Sequence, residues 1–515
     1  MQKHAKQLFW NALLLTAASL LMRTVGVSFQ VYISNRAGAE AMGLFSLLSG
    51  VYGFALTLAT SGIQLGVTRL CVEKIGEQHP ERIRSVMRSA VLYAMVFGLA
   101  ASALLIGFAD VIGTVWLKDT RTVSSLRLLG ITLPLIALSS ALGGYFTAVR
   151  RPYKNAAVQV LDQAAKIGGT MYLLALWQPG DVEQTCCALV LGGVGAEILS
   201  FFVELFLYLR DRRTHTDADA TKKTSAPSQT KKLLGITLPI AVTTYIRSGL
   251  VTLQHILIPE GLRNSGSSHA AALVAYGSIH SMAMPVILYP AALISSFSGL
   301  LVPELAEAEV QHSQKHIRYM ISRVWSLSLL FSIGVAGILI CFSSEIGSAL
   351  YPGTDAGKYI RILAPLIPIM YVDTATDAMM KGLGEQVYSM KINIADALIS
   401  VILVWLLIPR LGIDGYIITI YISELFNTVC SITHLLSVSH TSIRVIKWVY
   451  KPLLCIVGAT CAVRAFLSLT GLEIANAALS VTFHCVLVVL LYLLLLLLCG
   501  AIEKEDLQWF KTLVR

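Results

Sequence analysis

Apolar stretches of the roughly 20 residues needed to cross a bilayer as a helix recur from one end of this chain to the other, and few folds survive that constraint. Fourteen can be marked, at about 8–34, 42–70, 86–109, 123–149, 156–177, 185–209, 233–257, 271–303, 317–342, 358–380, 388–408, 414–437, 450–469 and 476–500. In hydrocarbon every backbone N–H and C=O must be paired inside the protein, which admits only helices and closed barrels. These segments are too long for barrel strands and lack their alternation. The expected fold is an all-α integral membrane protein of about fourteen transmembrane helices. Charged residues are 14% of the chain, against about a quarter in soluble domains, so no separate soluble domain fits. The N-terminal "MQKHAKQLFWNALLLTAASLL" has the basic flank of a signal peptide, and "AGA" at 37–39 imitates a cleavage site. The apolar run nevertheless continues past Arg23 to spanning length, which favours an uncleaved first helix.

Lysine and arginine set the orientation. Counted by alternate loops and helix ends, 28 of the 40 fall on one side, seven of them in 210–232. Arg36, Lys118, Arg121, Arg263, Lys358 and Arg410 face the other, with Arg127 and Arg361 just inside helices. By the positive-inside rule both termini are cytoplasmic. The net charge of +10 then reflects topology and anionic headgroups, and no nucleic acid is expected as a partner. The nine cysteines form no CxxC or Cys/His pattern and read as small hydrophobes, so no metal is expected.

The chain also repeats itself. An offset of 234 carries the second to fifth spans onto the eighth to eleventh, taking Gly43 to Gly277, Glu73 to Glu307, Pro134 to Pro368 and Asp162 to Asp396. An offset of 224 carries the first span onto the seventh, Arg23 onto Arg247 and Gln30 onto Gln254. Six spans separate equivalents, and an even number preserves direction, so the halves are parallel six-helix repeats with two helices appended. The expected domains are 1–209, a cytoplasmic linker at 210–232, 233–437, and a final 438–515. Transporters built from such repeats hold substrate in a central cavity and rock one half against the other.

Intramembrane charges mark candidate sites. An arginine at mid-membrane costs about 2.5–3.5 kcal/mol on insertion scales, so Arg23 and Arg247 need a wet cavity, a substrate or a carboxylate on a neighbouring helix. Guanidinium matches phosphate oxygens in bidentate fashion, which suggests an anionic headgroup with Gln30 and Gln254 beside it. In "VQVLDQAAKI", Asp162 and Lys166 stand at i,i+4 with Gln159 and Gln163, as an internal ion pair or a substrate contact. In the eighth span Pro285 and Pro290 predict a bent helix, with His280 either an anion contact or an ordinary interior residue. In the tenth, Asp373 and Asp377 repel unless a cation, proton or basic partner intervenes; they are the candidates for ion coupling. Glu197, Glu204, Glu424 and Arg464 have no evident role. No Walker loop appears, so ATP does not drive the chain directly, and no catalytic constellation is visible in any loop.

Three stretches carry a resemblance: "GAEAMGLFSLLSGVYGFALTLATSGIQLGVTRLCVE" (38–73), "GGYFTAVRRPYKNAAVQVLDQAAKI" (143–167) and "AMPVILYPAALISSFSGLLVPELAEA" (283–308). Together they resemble the stage V sporulation protein B branch of the polysaccharide transporter family, within the multidrug, oligosaccharidyl-lipid and polysaccharide exporter superfamily. The resemblance implies two bundles around a V-shaped cavity, in a bacterial plasma membrane. It implies a flippase or exporter of polyprenyl-diphosphate-linked saccharide, with sporulation or cell-wall synthesis machinery among its partners. Related lipid II flippases carry a functional first-helix arginine in an Arg-x-x-Gly context, which "MRTVG" reproduces at Arg23 and Gly26. Where they carry further arginines, this chain has Phe29 and His280, and nothing before Arg69 in the second span. Those departures weaken lipid II itself as the substrate. The expectation is a monomeric transporter, not an enzyme, with no cofactor, drawing on H+, Na+ or the membrane potential. A cation-coupled multidrug antiporter of the same superfamily is the alternative, and a membrane-embedded glycan polymerase or ligase the more distant one.

Overall fold

The computed structural model describes residues 2–77, 83–177, 181–216, 229–441, 445–470 and 477–501, the side chains of 2–19, 212–216, 300, 470, 477 and 478 excepted. Within them the chain runs as α1 (Gln2–Thr60), α2 (Ile63–Gly76), α3 (Ile83–Gly107), α4 (Thr122–Ala148), α5 (Pro152–Trp177), α6 (Val182–Thr216) and α7 (Thr230–Asn264). It continues through α8 (His269–Gly277), α9 (Met284–Leu288), α10 (Ala291–Val310), α11 (Gln314–Cys341), α12 (Ser343–Leu350) and α13 (Ala356–Leu363). The last elements are α14 (Ile367–Gly382), α15 (Gln386–Leu411), α16 (Ile413–Ser439), α17 (Lys451–Thr470) and α18 (Ala477–Leu498). Among the described residues there is no strand, as the pairing demand in hydrocarbon requires.

Thirteen of these helical stretches are long and apolar enough to span a membrane. They match the sequence reading with three differences. The first two spans lie in one stretch, Leu20–Gly76. Within α1 only Gly38 leaves helical geometry (φ 80, ψ 165), a region essentially confined to glycine. The expected loop there is a one-residue break. The eighth span is divided into His269–Leu288 and Ala291–Val310. Finally, α5 is not among the thirteen, because its polar face of Gln159, Asp162, Gln163 and Lys166 lowers its apolarity. Of the linker expected at 210–232, the ends are helical, α6 running on to Thr216 and α7 beginning at Thr230, and 217–228 lie outside the described residues. Arg82, Arg444 and the tail from 502 also lie outside them.

Packing divides the chain into two units, Met1–Ala39 with Ala275–Arg515, and Glu40–Val274. This differs from the boundaries expected at 1–209 and 233–437, because each leading helix packs with the other repeat. In the Glu40–Val274 unit, Tyr245 Oη donates to Leu58 O (3.2 Å), Ser248 Oγ to Thr57 Oγ1 (3.1 Å) and Thr252 Oγ1 to Gly50 O (2.9 Å). Spaced three and four apart, these side chains share one face of α7 and fasten it to the second span. At the end of α6, buried Asp211 accepts from Arg151, from Lys154 (2.6 Å) and from Tyr145 (3.2 Å), tying α6 to the α4–α5 turn. In the other unit, Asn35 Nδ2 donates to Leu350 O (2.8 Å), holding the first span to α12.

The break in the eighth span follows from its prolines. Pro285 sits in the first turn of α9 and Pro290 caps α10, positions where a missing N–H is tolerated. Past Pro290 the backbone tightens, with Ala292 N bonding Tyr289 O (3.2 Å) and Leu293 N bonding Pro290 O (3.1 Å). The carbonyls just before the turn must therefore find other donors. Fully buried Tyr371 on α14 supplies one, its hydroxyl donating to Ile287 O at 2.6 Å.

Outside the spans, Asp119 anchors the α4 end of the Glu40–Val274 unit. Arg121 reaches it at 2.7 Å and Glu40 at 3.1 Å, and His269 Nε2 lies 3.0 Å from Asp119 Oδ2. Burial acts to raise the Asp119 carboxyl, but hydrogen bonds from Arg121 and His269 outweigh it and hold the group below the ordinary aspartate range. The hydrogen bond with Asp119 likewise raises Arg121 above its ordinary value.

Two outcomes follow. Tyr371→Phe strands the buried Ile287 carbonyl and should lower unfolding free energy by about 1–3 kcal/mol in denaturation of the purified protein. Tyr289→Phe, whose hydroxyl meets exposed Thr24 (2.9 Å), should cost less. Because its folded pKa is depressed, the Asp119 contribution is present above the ordinary value of about 3.9 and is lost as pH falls through the folded value. The melting temperature of Asp119→Asn should accordingly lie below wild type at neutral pH, the gap closing in acid.

Candidate functional site

In the unit Met1–Ala39 with Ala275–Arg515, Arg23 lies one side chain away from the broken eighth span. Its Nη2 donates to Leu288 O at 2.8 Å, the carbonyl that the turn at Tyr289–Pro290 deprives of its α-helical donor. Seven residues on, Gln30 Nε2 donates to Ser281 O at 3.3 Å. Ser281 lies in the π-helical turn Ser278–Ala283, which ends just before Pro285. Arg23 and Gln30 thus each serve a carbonyl in the turn before one of the two prolines. The carboxylate partner weighed from sequence is replaced by backbone. Arg23 remains exposed, and one bond to Leu288 leaves most of its five N–H donors available.

In the Glu40–Val274 unit, Arg247 stands off the α7 face that fastens to the second span. It is exposed beside exposed Val242 and Ile246, and has no ion-pair or hydrogen-bond partner among the described residues. Gln254 is half-buried. The two arginines belong to different units.

The same unit contains a polar cavity of about 380 Å³, lined by Gln64, Asn155, Gln159, Asp162, Glu197 and Glu204 among others. Asp162 and Glu197 also line a second cavity of about 120 Å³, with Lys166 and Tyr52. Gln159, Asp162 and Lys166 therefore reach cavities, while Gln163 is half-buried and lines neither. The internal pair weighed for Asp162 and Lys166 does not form; Ser200 Oγ donates to Asp162 at 3.0 Å instead. Glu204 is only 5% exposed, and the Asn155 carbonyl oxygen is buried without a donor. Sequence reading left both glutamates unassigned and missed Gln64 and Asn155. Asn155 stands one turn before Gln159 on α5, so its spacing could have found it, whereas Gln64 lies on α2 and nothing in the sequence signals that the two helices converge.

The second unit repeats part of this pattern. Asp396, the offset equivalent of Asp162, accepts from Ser423 Oγ at 2.6 Å. Asp373 accepts from Asn427 Nδ2 at 3.1 Å, and its other oxygen is buried without a donor. Asp377 is not left facing Asp373 alone: Lys381 pairs with it at 2.6 Å and Ser389 donates to it. Of the two coupling candidates, Asp373 is the one without a cation beside it. His280 lies in a π-helical turn, Ser278–Ala283, its ring stacked on Tyr276 with centroids 5.4 Å apart. That favours the interior reading over an anion contact. Arg464 donates to Cys341 O and lies over the Phe342 ring. Among the described residues no group of three or more His, Cys, Asp or Glu is placed to hold a metal ion.

The sequence profile of the polysaccharide biosynthesis protein family matches residues 8–309, and that of the MatE family residues 265–406. Stage V sporulation protein B of Bacillus subtilis is 24% identical over 511 residues, 98% of each chain. Among solved structures, the lipid II flippase MurJ in its inward closed conformation aligns with a TM-score of 0.70 at 14% identity, over 98% of this chain and 100% of that one. An inward-facing multidrug resistance MATE transporter aligns with a TM-score of 0.64 at 13% identity, over 82% and 96%. At such identities the structural matches speak for the fold, whereas the profile covers more than half of the sequence. The chain belongs to the polysaccharide biosynthesis protein family.

Proposed function

We infer that the chain is a transporter that moves an anionic, lipid-linked saccharide across a bacterial plasma membrane, both termini cytoplasmic, by alternating access. The observation that carries this reading is Arg23. A permanent cation deep in a spanning helix holds a backbone carbonyl with one nitrogen and remains exposed with its other donors. A diphosphate offers those donors the charge and the fork geometry they match, and desolvation in the membrane strengthens the attraction. Arg247 presents an exposed guanidinium at the equivalent repeat position. Family membership supports saccharide as the cargo. Stage V sporulation protein B and the lipid II flippase point to envelope synthesis as the setting, with its machinery as partner and the monomer as the working form.

A cation-coupled multidrug antiporter is the second reading. It is favoured by the carboxylates Asp162, Glu197 and Glu204 around one cavity, and by the MatE match. The two readings share a fold and differ in cargo. Coupling to H+ or Na+ is compatible with both, with Asp373 and the cavity carboxylates as the groups to bind the ion.

The test is translocation of fluorescent polyprenyl-diphosphate saccharides in liposomes. Arg247→Ala removes no bond of the fold and should reduce transport about tenfold or more at unchanged melting temperature. Arg23→Ala should reduce both, because Leu288 O loses its donor. Full transport by folded Arg247→Ala and Arg23→Ala proteins would sink the headgroup assignment. Efflux of cationic dyes with no saccharide translocation would select the antiporter.

A further inference from the structure

We propose that the turn between α12 and α13 is an anion site for a phosphate-type group, on the side of the membrane opposite the termini. The proposal is independent of the transport reading and concerns a different part of the molecule from Arg23.

A cavity of about 370 Å³ opens where these helices meet, within the size range of small-molecule sites. Two cations, Lys358 and Arg361, line it. Three residues apart on α13, they share the face opposite the buried Ala356, Tyr359, Ile360 and Leu363. Neither is ion-paired among the described residues, and Lys358 Nζ lies 5.9 Å from the centroid of the Tyr359 ring. Hydroxyls of Ser344 and Ser348 also line it, those of Ser343 and Thr354 being donated to Ile340 O (3.4 Å) and Tyr351 O (2.9 Å), with one carboxylate, Asp355, against the two cations.

Backbone adds to the side chains. Ser343 and Ser344 open α12, and Gly357 and Lys358 lie in the first turn of α13, so both helix N-termini border the cavity. At α13 the Lys358 N–H is taken by Asp355 O (3.0 Å) and the Ala356 N–H by Thr354 Oγ1 (3.4 Å), which leaves Gly357 in that first turn, while both helices bring the positive end of their dipoles to the cavity. Two glycines permit this convergence. A Cβ on Gly347 would lie 2.5 Å from Gly357 Cα, and one on Gly357 would lie 2.8 Å from Ser343 O. A fork, a point charge, hydroxyls and backbone donors around a small cavity suit a tetrahedral oxyanion. Its source is either a phospholipid headgroup of that leaflet or a soluble phosphate or diphosphate.

The full-length protein in phosphatidylcholine nanodiscs would be titrated with inorganic phosphate and with pyrophosphate by calorimetry. In parallel, phosphatidylglycerol retained from doped nanodiscs would be counted by native mass spectrometry. The variant Lys358→Gln/Arg361→Gln should lose about tenfold affinity or more, Asp355→Asn should gain affinity, and Arg263→Gln, outside the cavity, should match wild type. Binding of soluble anions with this pattern supports a soluble ligand. The same pattern confined to phosphatidylglycerol supports a headgroup. Absence of binding in both arms, or binding indifferent to Lys358, Arg361 and Asp355, overturns the proposal.

Discussion

A carbonyl stripped of its donor inside a bilayer must find another, and the eighth span is organised by that demand. Pro285 and Pro290 take N–H groups out of the helix, and the turn at Tyr289–Pro290 releases further acceptors. Each unpaired group in hydrocarbon costs several kcal/mol. Arg23 and Tyr371 supply donors to Leu288 and Ile287, and Gln30 supplies one to Ser281 in the π-helical turn just before. Two of the three come from the first span, so the break and the packing of residues 1–39 against it are one feature. It also explains how a permanent cation is retained at this depth: the guanidinium is held by the protein even when no substrate is present.

The two repeats share more than sequence. Asp162 and Asp396 each accept a serine hydroxyl from the following helix, Ser200 and Ser423. The units then diverge. Around Asp162 the glutamates 197 and 204 border open space, whereas Asp377 of the other unit is neutralised by Lys381. One unit therefore places its acidic groups beside a cavity, and the other pairs one of its own, Asp377, with a lysine on the same helix.

Much of the fold was legible. Apolar run length placed the helices, and Pro285 and Pro290 announced a broken helix because proline lacks an N–H wherever it sits. The partner of Arg23 was not legible, since carboxylates are visible as residue types and freed carbonyls are not. Nor were the units: a repeat reports which segments share an ancestor fold, but packing is decided by local geometry such as the one-residue break at Gly38. The cavity in the Glu40–Val274 unit was half visible. Gln159, Asp162 and Lys166 lie on one helix, where spacing fixes their common face. Gln64, Glu197 and Glu204 reach the cavity wall from two other helices, α2 and α6, and no pattern along the chain records that meeting.

The chain passes between the two units where the backbone is irregular. One crossing, between residues 39 and 40, follows directly on Gly38, the only non-helical residue inside α1. A second, between 274 and 275, lies in α8 just before the π-helical turn Ser278–Ala283. Glycine in its own region of φ/ψ and a π-turn both mark sites where torsions change at small cost, and hinges are drawn from such positions. Alternating access requires bodies that stay internally packed while their connections bend. The tyrosine, serine and threonine contacts of α7 and the donors around the broken span supply the internal packing of each unit.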